Sequence, residues 1–294
     1  MKSIRLFSIL IPSLLFAQQN PTDTADFKAY WYAGKAEISS YTLEQARYGE
    51  IRKGKAVHIF VTEPFSLQYN TKADDSQNPD NITVLKLNAT KKFNTGIYPY
   101  SLMTSSFVPV SQPQAAIKIS ASSQEWCGHE YVELVNKNSY FELSNFSYFQ
   151  GKSFTNLKID QNTVLEDDLW SKIRLNPKNL PTGTFKALPS FVYLRFSHSK
   201  IKAYQAQAQL TYTNNQATYT LTYPALNRSL KITFYNTFPF QILNWEETYE
   251  SGFGNQKKLR TTKATLQKSI LSDYWNQKKN EHLPLRKELG LPTF

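Results

Sequence analysis

Cysteine is nearly absent from this chain, which holds one in 294 residues, together with two methionines and ten glycines. With Cys127 alone, no disulfide can form within the chain, and stability has to come from a packed core. The few glycines do not assemble into a phosphate-cradling loop, a dinucleotide fingerprint or a Gly-x-Ser-x-Gly nucleophile elbow. No Cys-x-x-Cys or His-x-x-x-His spacing points to a metal, and no cofactor is expected. Past residue 17 there is no apolar run long enough to span a bilayer as a helix. Internal repeats are lacking, as is any Pro/Gly/Ser linker that forces a domain boundary.

The start of the chain has the grammar of a secretory signal. Lys2 and Arg5 precede the mostly apolar stretch Leu6 to Phe16, and Ala17 supplies a small residue at the expected cut. Residues 1–17 are therefore expected to be a signal peptide and residues 18–294 a single large β domain, with a candidate subdivision near 151–188. Export to the periplasm or outer envelope follows. The formal net charge is +11, and a signal cut would remove two of the cations. The remaining cations are scattered, with denser groups at Lys257, Lys258, Arg260 and Lys263 and at Lys278, Lys279, Arg286 and Lys287. No nucleic-acid recognition pattern accompanies them, so nucleic acid is not an expected partner. Such scattered charge reads first as a solvated surface, with attraction to an anionic membrane surface or an acidic polysaccharide as the alternative.

What the chain has in quantity is aromatic and β-branched sequence with a period of two. Lys55 to Glu63 sends Val57, Ile59 and Val61 to one face, and the alternation recurs at 82–87, 116–121, 139–148, 204–213, 217–223, 229–235 and 240–247. Turn chemistry separates them at Arg52-Lys53-Gly54, Asn136-Lys137-Asn138, Asn214-Asn215 and Pro224 to Arg228. The pattern predicts a mainly β fold: an antiparallel, strongly curved sheet or open β-barrel with one or two short helices. One helix is expected over Asn162 to Arg174, a strand running into a short helix over Leu266 to Lys279, and an extended strap after Pro284. Gln68 to Asn81 reads as a flexible loop. An outer-membrane barrel is disfavoured, because Leu283 to Phe294 holds two prolines and Arg286-Lys287-Glu288 where a lipid-facing final strand would lie.

The chemically richest stretch is Ser122 to His129. In an extended chain Glu125, Cys127 and His129 share one face, and a thiol beside an imidazole and a carboxylate is the material of nucleophilic catalysis or metal binding. Fixed spacing on one strand sets such groups parallel rather than converging, and Gly128 marks a bulge. No catalytic residue is therefore assigned. Glu125, Cys127 and His129 remain weak candidates, and Cys127 is expected to be a mostly buried thiol. Glu166-Asp167-Asp168 resembles a carboxylate pair, yet acids in a helix's first turn mainly offset its dipole. His58, His198 and His282 stand alone in the sequence.

Trp31 to Glu37 (WYAGKAE), Gln45 to Glu50 (QARYGE), Lys92 to Tyr100 (KFNTGIYPY) and Ser123 to His129 (SQEWCGH) resemble a family of exported Gram-negative bacterial proteins of unknown function. Its members sometimes carry the name septum formation inhibitor Maf. That name does not fit, since the Maf nucleotide pyrophosphatases are cytoplasmic enzymes with an N-terminal Ser-Pro-Arg-Arg stretch that this chain lacks. Leu188 to Arg195, with the strands to Glu247, is similar to an uncharacterised envelope β-protein family whose sheet curls into an open barrel. The resemblances imply an envelope location and an open barrel, and carry over no residue roles.

A curved sheet with aromatic concave strands between Phe185 and Trp245 suggests an apolar cavity for a hydrophobic or amphipathic ligand, of lipid or glycan-like chemistry. The alternatives are a hydrolase or transferase using Cys127, His129 and Glu125, or a scaffold that docks an envelope partner.

Overall fold

The computed structural model of the chain describes residues 21–111 and 114–293. The expected signal peptide lies outside the described residues. After a short helix α1 (Ala25–Trp31) come β1 (Ala36–Arg47), β2 (Glu50–Ser66), the two-residue β3 (Thr71–Lys72), β4 (Asn81–Thr95) and β5 (Tyr98–Pro109). Four shorter strands follow: β6 (Lys118–Glu125), β7 (Gly128–Asn136), β8 (Tyr140–Ser147) and β9 (Phe154–Asp160). Then come β10 (Val164–Leu165), α2 (Leu169–Leu175), β11 (Gly183–Leu188) and α3 (Phe191–Ser197). The chain continues through β12 (Tyr204–Tyr212), β13 (Gln216–Tyr223), β14 (Arg228–Tyr235), β15 (Ile242–Ser251) and β16 (Lys258–Ser272), and ends on α4 (Pro284–Glu288).

All these strands join one sheet in the order β10-β11-β12-β13-β14-β15-β16-β1-β2-β4-β5-β6-β7-β8-β9, with β3 beside β2. Pairing is antiparallel except between β10 and β11. The expected mainly β, antiparallel, curved architecture is what the chain adopts. The two edges, β9 and β10, are neighbours in sequence but not paired, so the sheet curls without closing. Curling brings distant strands together: His58 on β2 stacks on Trp245 of β15 at 4.9 Å, three strands away in the sheet order.

Helices α1, α2 and α3 fill the concave side. Their apolar faces and the inward residues of the strands make one continuous core that includes Phe60, Phe141, Tyr219, Leu221, Phe234 and Trp245, each 1 % exposed or less. Each such side chain contributes roughly 1.5–3 kcal/mol on burial. Two buried arginines make ion pairs inside this core. Arg174 of α2 grips Glu37 of β1 at 2.5 Å through both guanidinium nitrogens, and Arg228 bridges Glu166 at 2.5 Å and Glu247 at 2.7 Å. Burial works against the Glu37 carboxylate, but Arg174 and the Tyr30 hydroxyl hold its pKa below the ordinary value.

Several local expectations change. Arg52-Lys53-Gly54 is no turn but the interior of β2; the chain reverses at Tyr48-Gly49, where φ is 55° and 75°. Gly54 is there for close approach, because a Cβ would sit 2.3 Å from the Lys92 carbonyl oxygen of β4. The helix expected from Asn162 starts later, as the 3-10 turn Glu166–Asp168 followed by α2, because Val164–Leu165 pair with Ala187–Leu188 first. The tail after Pro284 is a strap, but it opens with α4 rather than running extended. Gln68 to Asn81 is a connection interrupted by β3. The turns at 136–138, 214–215 and 224–228 fall where expected.

Candidate functional site

The Glu125–Cys127–His129 trio does not assemble. Glu125 pairs with Gly128, so the chain reverses through Trp126 and Cys127 at a two-residue turn. The reversal puts Glu125 on the inward face and His129, opposite Gln124, on the outward face. Glu125 Oε2 accepts the Cys127 backbone N–H at 2.5 Å, which fixes the turn and leaves the carboxylate inside beside Arg195. Cys127 is exposed and not buried, a correction to the sequence reading, which took it for a core thiol. Hydrogen bonding to Glu125, and its charge, push the thiol pKa up. An activated nucleophile needs the opposite shift. Among the described residues no group of three His, Cys, Asp or Glu side chains is placed to hold a metal.

Glu166, Asp167 and Asp168 are all buried, yet each is used separately by the fold. Glu166 receives Arg228 and the Tyr223 hydroxyl, Asp167 accepts the Phe191 N–H at the start of α3, and Asp168 accepts the Ala116 N–H and pairs with Lys172. Burial, then the Glu166 charge, raise the Asp167 pKa to about 6. His58, sandwiched on Trp245 and edge-on to Trp170, is pushed down to about 3 by burial.

The aromatic residues between Phe185 and Trp245 that were expected to wrap a cavity pack against one another and the helices instead. Tyr219, Tyr223, Phe234 and Trp245 belong to the continuous core. The space that a ligand could fill lies on the other side of the sheet. There the segment after β16 leaves the sheet at Ser272, arches over the outward faces of β16, β1, β2 and β4, and is pinned back at Leu289. Leu289 is buried on Ala36, Ile38 and Val61, and its carbonyl accepts the Ser40 hydroxyl at 2.5 Å. Between these two anchors an open groove of about 970 Å³ remains. That is near the upper end of the roughly 300–1,000 Å³ usual for small-molecule sites.

The groove is polarised along the strands. At one end its floor is Ile38, Val57, Ile59 and Ile270, roofed by Leu289 and Leu291. One residue pair further down the β2–β4 ladder the floor turns cationic: Lys55 stands directly opposite Lys92, and Lys53 follows opposite Asn94 at the next outward position, as Gly54 pairs with Phe93. Lys278, Lys279 and Arg286 line the strap side, and among the described residues no Asp or Glu lines the groove. Lys55 donates to Gln267 at 2.5 Å, an uncharged acceptor. Glu44 faces Lys53 across β1 and β2 but is not part of the lining. Two lysines directly opposite in an antiparallel pair repel. A bound anion would offset that repulsion.

No family model matches the chain, and no curated protein matches it. Among solved structures it is similar to a β-barrel-like protein of domain of unknown function DUF1849 from Brucella abortus. The two are 9 % identical with a TM-score of 0.44, over 81 % of this chain and 97 % of that one. The likeness says nothing of ligand or partner. The family of exported proteins read from the motifs finds no counterpart in a family model.

The groove residues were missed at the sequence level for two reasons. Val57, Ile59 and Val61 were read as one face of a strand, which they are, but the face is the outer one, since Ala56, His58 and Phe60 point into the core. Lys55 and Lys92 lie far apart in sequence and become neighbours only through the β2–β4 register. The available signal was the pair of opposed faces on β2, apolar on both sides, which requires a cover on each.

Proposed function

We propose that this protein is a non-enzymatic envelope protein that binds an amphipathic molecule with an apolar chain and an anionic head in the groove between the strap and the outer sheet face. The observation that carries the reading is the unbalanced Lys55–Lys92 pair at the mouth of a trough floored by Val57, Ile59 and Ile270. The alkyl part covers the aliphatic floor, which the strap shields only partly, and the head meets Lys53, Lys55 and Lys92. A lining that is cationic, with no Asp or Glu among the described residues, favours an anionic lipid fragment over a neutral glycan. The proposed location is the periplasm or outer envelope, on the signal-like start alone. No arrangement around Cys127 supports the hydrolase or transferase alternative.

A fluorescent fatty acid tests the reading. Saturable binding with one site per chain is expected, displaced by unlabelled fatty acid. Lys55→Glu with Lys92→Glu is expected to weaken it by about tenfold or more, as removal of two charge-assisted contacts requires. Absence of saturable binding, or equal affinity in the double variant, would overturn it.

A further inference from the structure

The antiparallel meander places the turns β1–β2, β4–β5, β6–β7, β8–β9 and β15–β16 at one end of the curled sheet. Four of them present large apolar side chains to solvent: Ile97 is 84 % exposed, Tyr148 77 %, Trp126 68 % and Phe253 48 %. These are not loose loop residues. Trp126 sits on a two-residue turn with its ring 6.4 Å from that of Tyr98, and Phe253 lies 5.9 Å from Tyr48 of the adjoining turn. Tyr148 lies across Gly128 so closely that a Cβ there would come within 2.8 Å of its ring. The fold holds these groups out rather than leaving them out.

The same end is cationic. Lys152 lies in the β8–β9 turn and Lys258 starts β16, and neither has a carboxylate within 4.0 Å among the described residues. The acids nearby are already matched: Glu50 by Arg52, Glu250 by Lys257, and Glu125 and Glu130 by Arg195. Adjacent hairpin tips are spaced by about two strand separations, roughly 10 Å. Small aromatic pairs at that spacing, Phe253 with Tyr48 and Trp126 with Tyr98, do not make the contiguous, close-packed patch of a protein interface. They suit a fluid surface into which each tip sinks alone, and Trp and Tyr are the residues that settle at headgroup depth.

We propose that this end of the sheet docks on an anionic phospholipid bilayer, with Ile97, Trp126, Tyr148 and Phe253 inserted among the headgroups and Lys152 and Lys258 over the lipid phosphates. This surface is separate from the groove and stands without it. It would set the cationic mouth of the groove, which opens toward these tips through Lys53, Asn94 and Pro99, next to the membrane.

Vesicle sedimentation tests the docking, using the protein as isolated from its own cells. Vesicles of phosphatidylglycerol and phosphatidylethanolamine are expected to bind it about tenfold or more better than phosphatidylcholine alone. Ile97→Asp with Trp126→Asp is expected to reduce binding by about tenfold or more, with an unchanged circular dichroism spectrum because both positions are exposed. A second measurement needs only a conservative change at an exposed position. Headgroup-proximal brominated lipid should quench the part of the tryptophan emission that Trp126→Phe removes. Equal binding to neutral vesicles, unchanged binding by the double variant, or no quenching of Trp126 would each overturn the proposal. So would capture of the tips by a second protein in a preparation that does not bind vesicles.

Discussion

Acid stability provides a quantitative check of the interior, because two buried groups in it titrate in opposite senses over the same range. His58 is 2 % exposed, stacked flat on Trp245, and its Nδ1 has no hydrogen-bond partner among the described residues. Its pKa is about 3 in the fold against an ordinary 6.5, with burial the leading cause and the Lys91 and Arg174 charges adding to it. The unfolded chain therefore takes up a proton below pH 6.5 that the folded chain refuses until about pH 3. Stability falls with acidification across that window, by about 2–3 kcal/mol between pH 7.5 and 4.5. Asp167 works the other way. Its folded pKa of about 6 lies above the ordinary 3.8, so the folded chain binds the proton first. That contribution is present at low pH and lost as pH rises through about 6, worth about 2 kcal/mol over the same interval. The two nearly cancel. Replacing His58 by Phe keeps an aromatic ring on Trp245 and removes the acid-labile part, so the unfolding free energy at pH 4.5, relative to that at pH 7.5, should rise by about 2–3 kcal/mol over the parent's. Asp167→Asn should instead make the chain more acid-labile by about 2 kcal/mol. Urea titrations from pH 7.5 to 4.5 on the three proteins read both. Parallel pH profiles for parent and His58→Phe would refute the buried, neutral imidazole.

Arg228→Met should destabilise by about 3–5 kcal/mol in urea or thermal unfolding, because it leaves Glu166 and Glu247 buried without their cation. Native Cys127 should label completely with a thiol reagent without denaturant, but more slowly near pH 8 than a free cysteine, and Cys127→Ala should leave the melting temperature unchanged. The Lys55→Glu and Lys92→Glu single variants should each raise stability by about 0.2–1 kcal/mol in thermal unfolding, by turning a like-charge pair into an opposite-charge one.

The alternating strands β8, β12, β13, β14 and β15 were legible because each has one face in the core and one in solvent, as at Ala217, Tyr219, Leu221 and Tyr223. β1 was not, since Ala36 to Tyr41 are buried without alternation, inward by the helices and outward by the strap. The bulge at Ser40/Tyr41 against β16 shifts the face within that strand pair and obscured β16 as well. Edge strand β9 is almost wholly exposed and offers no apolar face to read. Spacing along an extended strand put Glu125, Cys127 and His129 together, and a turn of two residues separates them. A one-dimensional pattern shows which residues alternate but not which face the chain will cover, and that is why a cavity was expected inside and the groove lies outside.

A fatty acid with a photoreactive diazirine at the end of its chain tests the central claim most directly, by mass spectrometric mapping of the residues it labels. The groove account predicts labels on the Val57–Ile59 stretch of β2 and on Leu289 to Leu291 of the strap, lost when unlabelled fatty acid competes. Labels on the inward faces of β13 to β15, around Tyr219 and Trp245, or no competed label at all, would contradict it.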